Sequence, residues 1–151
     1  MTHGGFYRHF ASKDQLTAEA CADAVESMVE MFEGALSGHG RSNGLKGVAT
    51  RYLSARHRDA PSKGCPFAAL GSELVRADAA TRARATEGLL RIVDILAGGY
   101  AGMRADTAKR RALVALSTMV GALTLAGLVT EPALSDELLR DAARHVGDQP
   151  G

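Results

Sequence analysis

The sequence predicts an all-α fold, and three observations predict it. Apolar residues recur at three- and four-residue spacing along most of the chain. The breaks between those runs carry Gly, Pro, Ser and Asp. No period-two alternation of useful length occurs, and there are no repeats or low-complexity tracts. The runs cover roughly three-quarters of the chain, far above the helical share of ordinary globular proteins. With 151 residues, 46% of them hydrophobic, the chain can bury a sizeable core.

The elements follow in order. Phe6 and Phe10, four apart, share a face of a short first helix that Thr2 and Gly4-Gly5 open without bulk. Ser12 and Gln15 form a capping box for a long second helix reaching about Leu36. Its apolar stripe is Leu16, Ala20, Ala24, Met28, Met31 and Leu36, and Ser37-Gly38-His39-Gly40 ends it. Leu45, Val48, Ala49, Tyr52 and Leu53 give another amphipathic helix, stopped near Pro61. Pro66 suits the first position of a helix carrying Phe67, Leu70, Leu74 and Val75. A further helix runs from about Ala79 to Ala97, with Leu89, Ile92, Val93 and Leu96 inward, and Gly98-Gly99 terminates it. Asp106 is expected to cap a helix reaching about Val129, and Ser135 to cap the last one.

The segment Ala112 to Val129 is apolar nearly all round. Its eighteen residues sit at the lower limit for a membrane span. It lacks interfacial aromatics and lies among amphipathic helices, so no membrane partner is expected. A helix apolar on every side must be covered on every side. One face meets the core; the other is expected to meet a second copy. Leu113, Leu116, Val120, Leu123 and Gly127 keep the spacing of a helix-helix seam and are the expected homodimer contacts.

Charge and chemistry narrow the function. Net charge is +1, which gives no global pull toward nucleic acid or membrane. The N-terminus has no apolar signal-peptide core, and Cys21 and Cys65 form neither a disulfide framework nor a metal set. A cytoplasmic protein is expected. The five histidines fall in separate segments. No HExxH, Gly-rich phosphate loop or nucleophile elbow is expected, so neither an enzyme nor a cofactor is. Arg56-His57-Arg58 reads as a solvated helix end.

The run Thr-His-Gly-Gly-Phe-Tyr-Arg-His-Phe-Ala-Ser-Lys-Asp-Gln-Leu, residues 2–16, closely resembles the recognition helix and following helix start of TetR-type bacterial transcription regulators. The Gly-x-Tyr-x-His-Phe-x-Ser-Lys pattern within it is specific, and Gly64 to Phe67 resembles one subgroup of that family. The resemblance implies a TetR-like helical bundle. Residues 1–11 would be the remnant of a helix-turn-helix domain, 12–147 a ligand-binding and dimerisation domain, and 148–151 a tail. It implies operator-DNA contacts from Thr2, His3, Gly4, Tyr7, Arg8, His9 and Lys13, whose donors suit phosphates and base edges. The family's first two helices would be absent, so the chain by itself is expected to bind DNA weakly. The implied function is a repressor released by a small effector. The alternative is a non-DNA-binding helical dimer that senses a small molecule or sequesters an intact homologue.

Two further expectations concern sites. Tyr52, Phe67, Met103 and Met119 are large, adaptable side chains suited to an effector pocket. That effector should be apolar or aromatic, because no basic cluster lies on one apolar helix face. Cys65, just before Pro66 and two residues after Lys63, is the candidate reactive thiol, since a helix start and a cation both favour thiolate.

Overall fold

The proline-free run Lys13–Ser37 forms one helix, α1. The computed structural model describes residues 13–37, 44–60 and 64–148. Seven more helices follow α1 among them: α2 Gly44–Tyr52, α3 Ala55–Arg58, α4 Pro66–Ala69, α5 Gly71–Arg76, α6 Ala79–Ala97, α7 Ala105–Leu128 and α8 Pro132–Gly147. The described residues contain no strand, and the fold is all-α.

The caps explain most boundaries. The Asp78 carboxylate accepts the Thr81 N–H at 2.7 Å and starts α6. Gly98 closes it, as its flanking glycines predict. Gly102, at φ 81°, turns the chain between α6 and α7 in a conformation that L side chains rarely adopt. Two expected caps are corrected. Arg104 occupies the N-cap of α7, and Asp106 lies inside the first turn. Glu131 precedes α8, Pro132 opens it, and Ser135 is buried one turn in. The stretch after Pro66 is two short helices, broken at Leu70.

α1 packs along α6, α6 against α7, and α7 against α8, while α2 fills the space between α1 and α8. The α1–α6 contact is close at Gly88, where a Cβ would stand 3.0 Å from Val25 Cγ2. The buried line of α1 is Cys21, Val25, Met28, Val29 and Phe32. The expected stripe lies partly beside it, with Ala20 exposed and Ala24 and Met31 half-buried. Large side chains from four helices meet at the centre: Phe32, Tyr52, Ile92, Leu96 and Met119. Phe32 and Tyr52 stack tilted, with ring centroids 5.9 Å apart.

Candidate functional site

The short helix α3 organises the polar centre of the molecule. Ser54 is its N-cap, extended at φ −119° and ψ 150°, and its Oγ accepts the His57 N–H at 3.2 Å. That turn folds His57 back over α2. His57 Nδ1 lies 2.7 Å from the Tyr52 carbonyl oxygen, and its Nε2 accepts the Cys65 N–H at 3.0 Å. An amide N–H can only donate, so Nε2 carries no proton and Nδ1–H donates to Tyr52. The imidazole meets the Tyr52 ring edge-on, centroids 4.7 Å apart at 84°. Gly64 lies against the same imidazole, and a Cβ there would approach Nε2 to 3.2 Å.

Arg58, the next residue, reaches the opposite way. Nη1 donates to Ser135 Oγ at 2.7 Å and to Asp136 Oδ1 at 3.0 Å, while Nε and Nη2 grip Asp59. Ser135 Oγ in turn donates to the Ala126 carbonyl at 2.6 Å, one of the orphan acceptors at the end of α7. Hydrogen bonds to Asp59 and Asp136 push the Arg58 pKa up, and the same Arg58 contact holds Asp59 below its ordinary value. His57 and Arg58 are therefore structural, and only Arg56 of the expected solvated triplet is exposed.

Cys65 is corrected as a reactive thiol. It is 1% exposed. Burial pushes its pKa up, against smaller pulls from Tyr52 and from the N–H groups of Ala68 and Phe67. Its helix has only four residues, so little dipole opposes desolvation. Lys63 lies outside the described residues. Cys21 is also buried, and its pKa is raised by burial first and by Cys65 second. The Tyr52 hydroxyl is buried with no hydrogen-bond partner of normal geometry. Burial drives its pKa far up.

The expected pocket residues do not converge. Tyr52 and Met119 are wholly buried in the core. Phe67 lines a shallow groove of about 290 Å³ with Leu74, Val75 and Leu89, and Met103 lies half-buried elsewhere. The larger hollows are two. One, of about 390 Å³, runs between α1 and α6 and carries both signs of charge, from Glu26, Glu87, Arg84 and Arg91. The other, of about 430 Å³, lies where α1 meets the α2–α3 turn. No group of three or more His, Cys, Asp or Glu that could hold a metal occurs among the described residues.

The residues expected to form a dimer seam do not share one open face. Leu116 and Leu123 are buried within this chain's own core, and Val120 is half-buried. They pack inward because α6 and α8 flank α7 on that side. The uncovered apolar face is Leu113, Val114 (55% exposed), Gly121, Leu125 (49%) and Leu128 (73%), with Gly127 at its edge. α7 is long and apolar enough to cross a membrane by length and composition, and 33% of its apolar window is buried. Of the residues assigned to DNA, Thr2, His3, Gly4, Tyr7, Arg8 and His9 lie outside the described residues, and Lys13 is the first residue of α1.

One motif went unread in the sequence. Gly40-Arg41-Ser42-Asn43-Gly44 has the Gly-x-Ser-x-Gly spacing of a nucleophile elbow. An elbow needs a strand feeding a helix. Here the spacing joins helix α1 to helix α2, and residues 38–43 lie outside the described residues.

No protein-family model matches this chain, and no curated protein sequence matches it.

Proposed function

We propose that this chain carries the effector-sensing and self-associating functions of a TetR-type transcriptional repressor. The observation that carries the reading is the run at residues 2–16, which leads straight into α1 of an all-helical domain. The run supplies donors suited to operator DNA, and the domain supplies a surface for a second copy. Leu113, Val114, Leu125 and Leu128 form an apolar stripe along α7 that α6 and α8 leave open. Two antiparallel copies of the α7–α8 pair would cover it, and ~800 Å² per partner is ordinary for a stable interface. An effector that prefers one spacing of the paired DNA heads would then lower operator affinity.

Sedimentation equilibrium tests the assembly. A dimer is expected at micromolar concentration, and Leu125→Glu should dissociate it. A well-behaved monomer for the unmodified chain overturns the dimeric reading. Selection from random DNA duplexes tests the partner. Weak, salt-sensitive DNA retention that Tyr7→Ala lowers further supports a regulator, while tight binding to one palindrome would overturn the expectation that the chain by itself binds DNA weakly. A dimer in which replacing Thr2 to Lys13 changes neither assembly nor DNA retention favours the alternative, a non-DNA-binding helical sensor.

A further inference from the structure

The hollow beneath the α2–α3 turn differs in its charge from the α1–α6 hollow of similar size. Met28 and Met31 of α1 form its floor, with Ala24 and Ala60 beside them. Met28 is buried and Met31 half-buried, and both line the hollow. Arg51, in the last turn of α2, and Arg56, on α3, line the rim. Among the described residues no aspartate or glutamate lines it. The α1–α6 hollow, by contrast, balances two arginines with two glutamates, and its Arg91 is already paired with Glu26.

The polar groups at the back are already committed. Ser54 Oγ donates to the Arg51 carbonyl at 2.9 Å and accepts from His57 N–H. Both His57 ring nitrogens are used, one toward Tyr52 and one toward Cys65. Ser27 Oγ, which also lines the hollow, donates to the Asp23 carbonyl at 3.1 Å, so the charged groups left to meet a ligand are two guanidinium forks above a soft apolar floor. Guanidinium matches a carboxylate in a bidentate fork, and thioethers adapt to acyl or aromatic surface. The volume, about 430 Å³, falls within the range of small-molecule sites.

We infer that this hollow binds an apolar monocarboxylate, a molecule with one anionic head and an acyl or aromatic body, held by Arg51 and Arg56 over Met28 and Met31. The inference adds one anionic head to the apolar or aromatic effector expected from the sequence, because Arg51 and Arg56 belong to different helices that only the α2–α3 turn brings together. As an effector site the inference rests on the sensing role proposed above; as a binding site it does not.

The test uses the 151-residue chain, ¹³C-methyl-methionine labelling and calorimetry. The probes are decanoate, the aromatic acid 2-naphthoate, neutral decanol and cationic decyltrimethylammonium. Decanoate or 2-naphthoate should shift the Met28 and Met31 methyl signals and leave Met103 and Met119 in place. Decanol should bind more weakly and the cation not at all. An exposed ion pair contributes modestly, so each arginine should be worth about two- to fivefold in affinity, and Arg51→Glu/Arg56→Glu about tenfold or more. Both arginines are exposed, so the double variant should keep its fold and its oligomeric state, with only a small fall in thermal midpoint from carboxylates in the last turns of α2 and α3. Shifts at Met103 or Met119 instead, equal affinity for decanol and decanoate, or an unaffected double variant would each overturn the inference. A chain that binds neither acid yet dimerises and retains DNA overturns this site while leaving the regulator reading intact.

Discussion

Arg58 donates to the Ser135 hydroxyl across 77 positions of sequence, at 2.7 Å. The contact ties the four-residue helix α3 to the first turn of α8. Ser135 passes it on to the Ala126 carbonyl at the end of α7. Three elements thus meet on one hydroxyl that is 3% exposed.

Ser135→Ala is therefore expected to destabilise the fold by about 1–3 kcal/mol, because it leaves a buried carbonyl and a guanidinium N–H without their shared partner. Urea denaturation checks the value. Arg58→Met, which keeps the apolar stem, should also lower stability, and the two losses should not add, since both remove one network. Additive losses would mean that the two side chains act separately.

The Tyr52 hydroxyl makes a different prediction. Removing a buried hydroxyl whose polar neighbour is the weakly accepting Cys65 thiol, and which has no partner of normal geometry, removes a desolvation cost. Tyr52→Phe should be neutral or stabilising, within about 1 kcal/mol, while Phe32→Ala in the same cluster should cost about 3–5 kcal/mol. The ordinary values of Cys65 and Tyr52 are 9.0 and 10.0, and burial raises both. Their neutral forms favour the fold, so stability is held below those values and lost as pH rises past them. Thermal midpoints above about pH 9 should fall less steeply in Tyr52→Phe. Both thiols should alkylate slowly in the native state and quickly in urea. Native labelling of Cys65 at the rate of a free thiol would contradict its burial.

At the acid end the sign reverses. Asp59 is depressed by Arg58, and Asp78 by the backbone N–H and side chain of Thr81. Both have an ordinary value of 3.8, so the unfolded chain binds more protons than the folded one just below it. Their stabilisation is present above that value and disappears as pH falls through the depressed ones. Calorimetric midpoints should drop below about pH 4, and Asp59→Asn with Asp78→Asn should flatten that drop. An unchanged acid limb in the double variant would assign it to other carboxylates.

The chain's local chemistry determines its fold class and most element positions. Periodic apolar residues make Leu45, Val48, Ala49, Tyr52, Ile92, Val93 and Leu96 inward-facing, and the structure buries all of them. Pro66 and the Gly98-Gly99 pair punctuate helices where local backbone preference requires it. These properties depend on neighbours within a turn or two, which is what a sequence displays.

Tertiary packing decided the rest. It chose which side of the all-apolar α7 faces inward, turning Leu116 and Leu123 into core and leaving Leu125 and Leu128 open. It half-buried His57 and Arg58 against partners, Cys65 and Ser135, that are 8 and 77 positions away. It buried Cys65, and desolvation there outweighs the pull of a four-residue helix. It set Arg51 and Arg56 over Met28 and Met31, a pairing that no single helix face contains. Each of these outcomes depends on which distant surfaces meet, and helical periodicity specifies only that a surface must be covered, not what covers it.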